Sequence, residues 1–139
     1  MRVMDMLYEA AIQLIQKRYP SGWGGAAAMR TSDGIILTSV APEVLNATTE
    51  LCMEVGSILE AHKLQTSVTH SICVTRDDEN SPFKILTPCG ICQERLLYWG
   101  RNVQVAVTHD GSNVMYVSLQ ELQPFHWTHA YPEEEIFGK

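Results

Sequence analysis

The sequence predicts an α/β protein, a three-layer α/β/α sandwich built around a mixed sheet of about five strands. Segments with helical periodicity alternate along the chain with short strand-like segments, in the order α-β-β-α-β-α-β-β-α. The chain of 139 residues suits one domain and can bury a hydrophobic core. It contains no internal repeat and no linker rich in Gly, Pro or Ser, so a single domain is expected over residues 1–139.

The first predicted elements are a helix and a β-hairpin. Apolar residues at helical spacing open the chain, and Pro20 ends the helix. These apolar residues are Met4, Leu7, Tyr8, Ala11, Leu14 and Ile15. Two small or apolar stretches within residues 25–40 flank Ser32-Asp33-Gly34, a turn sequence typical of a hairpin.

A second helix is predicted within residues 46–63, followed by a strand over residues 67–76. Thr48 or Thr49 can cap this helix, whereas Gly56 weakens it. The apolar stripe of the helix comprises Leu51, Val55, Ile58 and Leu59. The strand is indicated by the alternation of its side chains.

The last predicted elements are two helices and two strands. Apolar residues after Cys89 suit a helix of about ten residues that ends at Gly100. Two strands, over residues 103–109 and 114–119, are joined across the turn-like sequence "DGSN". Ser118 can then cap a short final helix.

The composition limits the partners and the location that we expect. The net charge of −6 and the pI near 5.3 come without any Lys/Arg cluster, which argues against binding to a polynucleotide. Polar residues interrupt the N-terminal apolar positions, so neither a signal peptide nor a membrane span is expected. We therefore expect a cytoplasmic protein whose four cysteines are thiols or metal ligands rather than disulfides. The acidic run "PEEE" is expected to be a solvated tail.

Three of the four cysteines share a local setting. Cys52, Cys89 and Cys92 begin or closely precede predicted helices, where backbone N–H groups and the helix dipole stabilise a thiolate. Three thiolates that converge on one point would bind a soft divalent ion such as zinc. The Cys-x-x-Cys pair by itself fits a redox pair equally well. Cys73 lies within a strand and is interpreted as an inert core residue.

Glu54 follows Cys52 by two residues and adds a carboxylate to this group. A structural zinc site closes with four protein ligands, whereas a catalytic site keeps three and leaves one position for water. Zinc lowers the pKa of that water toward ~7, and a neighbouring carboxylate can take and return its proton. The pattern therefore predicts the addition of water to an unsaturated carbon. The alternative is that Glu54 is only a first-turn acid favoured by the helix dipole.

The same residues match the zinc-deaminase signature, a ligand-x-Glu followed by Pro-Cys-x-x-Cys. In "TELCME" and "TPCGICQE" the chain resembles the cytidine deaminase family, in its small three-cysteine branch that includes blasticidin S deaminase. The similarity extends over nearly the whole chain, through "SGWGGAAAM", "VAPEVLNATTELCME" and "ELQPFHWTH". The resemblance implies the family's fold and a homotetramer whose active sites are shared between subunits.

The resemblance also implies roles for individual residues. Cys52, Cys89 and Cys92 would bind one zinc ion per subunit, and Glu54 would move the protons. The implied substrate contacts are Trp23, Glu43, the backbone of Met53 and Thr87, and Trp127 reaching the pocket of a neighbouring subunit. The implied reaction is the hydrolytic deamination of a small cytosine-type nucleoside, such as cytidine or deoxycytidine, to its uracil form and ammonia, as in pyrimidine salvage.

Three positions depart from the family's pattern. Ala41 stands where the family has a ribose-binding asparagine, and Val55 stands where many relatives have an arginine that offsets the thiolate charge. The family's Cys-Arg-Gln is here "CQER", with Glu94 and Arg95 shifted along the chain. These departures leave the deaminase chemistry in place and open the choice of substrate.

Several alternatives therefore stand beside the cytidine interpretation. The substrate could be a nucleoside antibiotic such as blasticidin S, or another amino-heterocycle, because Trp23 and Trp127 are larger than the family's usual aromatic residues. A non-catalytic, zinc-stabilised binding module on the same fold is a further alternative, against which the intact Glu54 speaks. Trp23 could equally pack in the core or against another subunit, and Glu43 could be a solvated loop acid.

Overall fold

The predicted helices and strands follow one another in the predicted order, and the structure adds a two-residue strand, a short C-terminal helix and two 3₁₀ turns. The structure, a computed structural model, describes residues 2–138. The helices are α1 (Val3–Arg18), α2 (Val55–Leu64), α3 (Gly90–Leu97), α4 (Leu119–Leu122) and α5 (Glu133–Phe137). The strands are β1 (Gly24–Thr31), β2 (Ile36–Ser39), β3 (Val68–Arg76), β4 (Lys84–Ile85), β5 (Gln104–Ala106) and β6 (Tyr116–Ser118). Ala47–Thr49 and Trp127–Ala130 form 3₁₀ turns.

The strands form one mixed sheet in the order β2-β1-β3-β5-β6, with β4 paired to β3. The β3–β5 pair is parallel and the other pairs are antiparallel. The β1–β2 hairpin forms as predicted, and Gly34 adopts a φ of +84° in its turn, a conformation that glycine tolerates best. The predicted mixed sheet is confirmed, and the two-residue strand β4 brings the strands found within residues 2–138 to six.

Helices cover both faces of the sheet. On one face, α1 buries Leu7, Ala11 and Ile15 against strand residues. These strand residues are Ala26, Ala28, Ile72, Val74 and Ala106. On the other face, a second cluster joins α2, α3 and α4 to the sheet through Met29, Leu37, Ile58, Ala61, Val68, Leu96, Val103, Val105, Val107 and Leu119. Because successive strand side chains point to opposite faces, β1 contributes to both clusters, and the three-layer arrangement is confirmed.

The start of α2 differs from the prediction. Thr48 and Thr49 do not cap this helix, because the Asn46 side chain accepts a hydrogen bond from the Thr48 N–H (3.0 Å) and closes a separate 3₁₀ turn. Extended backbone at Glu50 (φ −60°, ψ 142°) then ends that turn, and α2 begins only at Val55. The predicted stripe is corrected accordingly, since Leu51 and Leu59 are exposed whereas Val55, Ile58 and Ala61 are buried.

Gly56 has a packing role within α2. A Cβ atom at this position would lie 2.8 Å from the Cβ of Ser39 on β2. The hydroxyl of Ser39 donates to the carbonyl of Met53 (2.6 Å) and accepts from the N–H of Ser57 (3.1 Å). Glycine therefore lets the first turn of α2 approach β2 closely enough for Ser39 to hold the segment that carries Met53 and Glu54.

Gly56→Ala is expected to destabilise the protein, although alanine favours a helix interior by about 1 kcal/mol over glycine. The added methyl group must push α2 away from β2, and such overpacking costs about 1–3 kcal/mol. Urea denaturation would measure the change in the free energy of unfolding. Gly90→Ala is the matched control, because no heavy atom lies within 4 Å of a Cβ at that position. A Gly56→Ala protein as stable as the wild type would contradict this account.

Two short helices, α4 and α5, lie in the segment that follows the last strand. Ser118 caps α4 as predicted, because its hydroxyl accepts from the Glu121 N–H (3.1 Å) and its own N–H donates to the Glu121 carboxylate (3.0 Å). The acidic run forms the exposed helix α5, where a Glu133 carboxylate oxygen lies 3.9 Å from a guanidinium nitrogen of Arg101. Within residues 2–138, no helix combines the length and the apolar character that crossing a bilayer requires.

Candidate active site

Three cysteine side chains converge where α2 and α3 begin. Cys89 is the N-cap residue of α3, and Cys92 lies in the first turn of the same helix. Cys52 belongs to the segment just before α2, which packs beside α3. The three Sγ atoms lie within 4.8 Å of one another, and those of Cys52 and Cys89 are 3.3 Å apart. Residues 37 positions apart in sequence thus meet because two helix N-termini meet.

The geometry and the chemistry of these donors fit a zinc ion. Zinc–sulfur bonds of about 2.3 Å place tetrahedral sulfur ligands about 3.8 Å apart, which is within the 4.8 Å limit that encloses all three sulfurs. Thiolates are the soft ligands that zinc prefers. Among residues 2–138, the metal-ligating cluster consists of these three cysteines. The site therefore offers three protein ligands and leaves room for a fourth, non-protein ligand.

The three thiols differ in how easily they ionise. Burial opposes ionisation of Cys89, but hydrogen bonds to its sulfur from the backbone of Cys92 and Ile91 lower its pKa below the ordinary value. Burial raises the pKa of Cys52, and burial together with the Glu54 carboxylate raises the pKa of Cys92. Cys89 is thus the thiol that the helix N-terminus activates most directly.

The fourth cysteine lies outside the cluster. Cys73 is a buried residue of β3 and pairs across the sheet with Ala27. Its sulfur lies 3.9 Å from the sulfur of Met53, and burial raises the pKa of the thiol well above its usual range. Cys73 therefore packs as a small apolar side chain, as its position in an apolar strand predicts.

Glu54 is a buried carboxylic acid beside the thiols. It occupies the N-cap position of α2, is 4% exposed and makes no side-chain capping hydrogen bond. Burial raises its pKa, and the nearby positive charge of Arg95 acts in the opposite direction. An acid that only interacts favourably with the helix dipole can do so at the surface, and burial would remove its hydrating water without any gain. A carboxyl group with a raised pKa is suited to exchanging protons near neutral pH.

A cleft of about 500 Å³ contains two of the predicted substrate residues, Trp23 and Glu43. Its lining comprises Tyr19, Trp23, Ala41, Pro42, Glu43, Val44, Glu50 and Leu51. The Trp23 ring is about half exposed and meets Tyr19 edge-on, with ring centroids 5.5 Å apart. A carboxylate oxygen of Glu43 lies 3.4 Å from a guanidinium nitrogen of Arg18. Ala41 lines the same cleft without a side chain that can hydrogen-bond.

Met53 joins this cleft to the cysteines. A Cβ atom at Gly25 would lie 2.6 Å from the Met53 sulfur and 3.0 Å from the Trp23 ring, so both side chains pack over this glycine. The Met53 carbonyl accepts the hydrogen bond from Ser39 described above. The predicted substrate residues Trp23 and Met53 are therefore brought together with the segment that bears Cys52 and Glu54.

The other two predicted substrate residues lie elsewhere. The Thr87 N–H donates to the hydroxyl of Thr108 (3.1 Å), and the Thr108 N–H donates back to the hydroxyl of Thr87 (2.9 Å). This pair anchors the segment that leads into Pro88 and Cys89. Trp127 lies in the second 3₁₀ turn and is 61% exposed. Within residues 2–138, it is not among the residues that line the cleft beside Trp23.

Arg76 supports the cleft, a role that the sequence analysis did not predict. It is 4% exposed, and its guanidinium group donates to the carbonyls of Gly22 (3.2 Å) and Tyr19. The Gly22 N–H donates in turn to the Glu79 carboxylate (2.6 Å). These bonds hold the turn that presents Trp23. The sequence offers no signal for this role, because an arginine at the end of a strand is usually exposed.

Arg76→Met is expected to lower the free energy of unfolding by about 2–4 kcal/mol, since two hydrogen bonds from a buried charged group are lost. The loosened turn displaces Trp23, so for a substrate that binds against Trp23 it should also raise KM more than it lowers kcat. Steady-state kinetics and chemical denaturation would measure both effects. The control is Arg2→Met, which removes an exposed pair with Asp5 and should change stability by about 0.5 kcal/mol or less. An unchanged KM would show that Arg76 does not position Trp23.

Comparisons with known proteins identify the family. Neither a protein-family model nor a curated protein sequence matches the chain. The crystal structure of the cytidine deaminase from Bacillus anthracis has a TM-score of 0.95 and 55% identity, over 99% of this chain and 100% of that one.

Two more distant cytidine deaminases share the fold. The enzyme from Mycobacterium leprae has a TM-score of 0.69 at 22% identity, over 89% of this chain and 99% of its own. The enzyme from Burkholderia pseudomallei has a TM-score of 0.68 at 22% identity, over 91% of this chain and 100% of its own. The resemblance predicted from the sequence is confirmed. Because 55% identity extends over nearly all of both chains, this protein belongs to the cytidine deaminase family and is a hydrolytic deaminase of nucleosides.

Proposed function

We propose that the protein converts a cytosine-type nucleoside, cytidine or deoxycytidine, to its uracil form and ammonia, using one zinc ion held by Cys52, Cys89 and Cys92. The observation that carries the proposal is the buried Glu54 carboxyl beside three converging thiols. The 55% identical relative from Bacillus anthracis, which is named a cytidine deaminase, supports the same substrate class. The proposal treats residues 1–139 as a single domain.

Glu54 does the proton chemistry in the proposed reaction. Zinc held by Cys52, Cys89 and Cys92 would lower the pKa of a water molecule at the site, so that the water could act as a nucleophile at neutral pH. Glu54 accepts a proton from the attacking water and delivers it to the ring nitrogen, which makes the adjacent amino-bearing carbon more electrophilic. The water oxygen bonds to that carbon and gives a tetrahedral adduct. Glu54 then takes the remaining proton from the hydroxyl group of the adduct and delivers it to the amino group. The carbon–nitrogen bond breaks, ammonia leaves, and the carbonyl forms.

The cleft lined by Trp23 and Glu43 is proposed to bind the nucleoside. Trp23 presents an aromatic face and edge to the substrate, and Glu43 accepts a hydrogen bond from a sugar hydroxyl. The base would be contacted by the Met53 N–H and the Thr87 carbonyl, since the opposite backbone group of each residue already bonds to Ser39 or Thr108. These contacts would align the amino-bearing carbon with Glu54, a requirement of efficient catalysis.

A second substrate class is favoured by one observation, the side chain at position 41. Ala41 lines the cleft and gives no hydrogen bond to a ribose, so sugar recognition rests on fewer groups. A site with fewer polar contacts discriminates less against substrates that lack or modify those groups. A cytosine-bearing antibiotic such as blasticidin S, or another amino-heterocycle, is therefore the alternative substrate.

We further propose that the protein assembles as a homotetramer in the cytoplasm, with Trp127 reaching the cleft of a neighbouring subunit. Large apolar side chains are strongly exposed in one subunit, with Leu45 fully exposed, Phe125 96% exposed and Trp127 61% exposed. Exposed apolar surface of this kind is typical of assembly interfaces. A reducing compartment also keeps the thiol ligands available.

Ammonia release from a panel of compounds tests the proposed substrate. The panel contains cytidine, deoxycytidine, cytosine, an amine-substituted cytidine, blasticidin S and several aminopurines. We expect the highest kcat/KM for cytidine or deoxycytidine, with the uracil-form product identified by its absorbance. Preference for blasticidin S would support the alternative. Turnover of aminopurines with none of any cytosine compound would overturn the proposal.

A further inference from the structure

Arg95 extends from α3 toward the cysteine cluster. Its Nη1 atom lies 3.8 Å from the Sγ of Cys92, which is fully buried. The two residues are three positions apart on one helix, so they share a face, and helical side chains lean toward the N-terminus. Arg95 therefore approaches Cys92 from one turn further along the helix.

The neighbours of Arg95 are engaged elsewhere. The Gln93 amide donates to the carbonyl of Pro88 (2.8 Å), and Glu94 pairs with the His126 side chain. The acidic residue next to Arg95 is thus directed toward the C-terminal segment and does not neutralise it. Gln93, Glu94 and Arg95 therefore each have a different partner, and the partner of Arg95 is the Cys92 thiol.

The cluster needs a positive charge beyond that of the metal. Three thiolates around a divalent ion leave a net charge of −1, and the buried Glu54 carboxylate adds a second negative charge beside it. Buried charge without compensation is costly. Val55, the residue directly after Glu54, is 6% exposed and packs in the core, so it supplies no cation. The requirement for a cation at the site therefore falls on another residue.

We propose that Arg95 is the positioning residue that offsets the negative charge of Cys92 and Glu54 and thereby strengthens zinc binding. The inference rests on the zinc site of the proposed function. The 3.8 Å contact between the Arg95 guanidinium group and the Cys92 sulfur supplies the geometry for this role. The compensating charge is thus supplied one helical turn after Cys92 instead of directly after Glu54.

Zinc affinity, measured by competition with a chromophoric chelator, tests the inference. Arg95→Gln is expected to weaken zinc binding about 10- to 100-fold, the usual cost of losing a residue that supports a metal ligand. Arg95→Lys keeps the charge and should recover part of this loss. Lys63→Gln, an exposed charge removal on α2, is the control and should bind zinc as the wild type does. Circular dichroism of each metal-free variant would separate a loss of affinity from a loss of folding.

The outcomes separate this inference from the proposed zinc site. A wild-type protein that binds no zinc would overturn both. Wild-type zinc affinity in folded Arg95→Gln would overturn the role of Arg95 alone. An Arg95→Lys protein as weak as Arg95→Gln would also overturn it, because the charge would then have no effect. If Arg95→Gln fails to fold, the comparison of Arg95→Lys with the wild type and with Lys63→Gln still decides, since a charge role requires Arg95→Lys to retain zinc.

Discussion

Glu54→Gln is expected to lower kcat for nucleoside deamination by about 10²- to 10⁴-fold, the usual contribution of a general acid–base group. Glutamine preserves the size of the side chain but cannot accept the proton of the attacking water or carry it to the ring nitrogen. Zinc content should stay at the wild-type level, because Glu54 is not among the three clustered donors. Steady-state ammonia release and zinc analysis of the same preparation would measure the two quantities.

The stability of Glu54→Gln offers an independent check of its environment. Burial raises the pKa of Glu54, which means that the folded protein holds the charged carboxylate at a cost. A neutral amide avoids the burial of a charge, so we expect the variant to be at least as stable as the wild type at pH 7. Glu60→Gln, an exposed residue of the same helix, is the control and should leave kcat unchanged. Full turnover by Glu54→Gln would exclude Glu54 as the proton carrier.

Cys92→Ser is expected to abolish zinc binding, and deaminase activity with it. A serine hydroxyl is a far weaker zinc ligand than a thiolate, and two remaining thiols cannot hold the ion in a catalytic geometry. The zinc content per chain, measured by atomic absorption, should fall from one to near zero. Because bound metal stabilises the folded state, a chelator should lower the melting temperature of the wild type but not that of Cys92→Ser.

Cys73→Ser provides a matched control for this experiment. Cys73 is also buried, so a hydroxyl in either position carries a comparable penalty of about 1–3 kcal/mol if it finds no hydrogen-bond partner. Of these two cysteines, only Cys92 belongs to the cluster of three thiols found among residues 2–138. We therefore expect Cys73→Ser to keep its zinc while losing stability. Full zinc content in Cys92→Ser, or loss of zinc in Cys73→Ser alone, would contradict the ligand assignment.

Local patterns in the sequence predict the longer helices and strands in their order along the chain, together with the residue types of the site. Helical periodicity up to Pro20, the hairpin turn at Gly34 and the Ser118 cap depend on interactions within a few residues, and all three appear in the structure. The Cys-x-Glu and Pro-Cys-x-x-Cys pattern is equally local. Its chemistry could be interpreted because a thiolate is a soft metal ligand, and a carboxylate a proton acceptor, in any fold.

The sequence patterns did not predict the start of α2, where two local signals compete. The apolar spacing around Leu51 and the threonines before it favour a helix start near residue 48, but the Asn46 side chain closes a separate turn instead. Ser39 and Gly56 then determine where α2 can rest on the sheet. The start of this helix therefore depends on a strand that lies far away in sequence, which no helix-capping rule includes.

Which of the expected residues meet depends on how distant elements pack against one another. The packing of α2 beside α3 brings together three thiols from distant segments, and the turn held by Arg76 sets Trp23 over the cleft. The same packing turns Arg95 toward Cys92 while Glu94 pairs with His126. The sequence does not distinguish these two neighbouring charged residues, because a helix places successive side chains about 100° apart and only the surrounding elements decide which one faces the site.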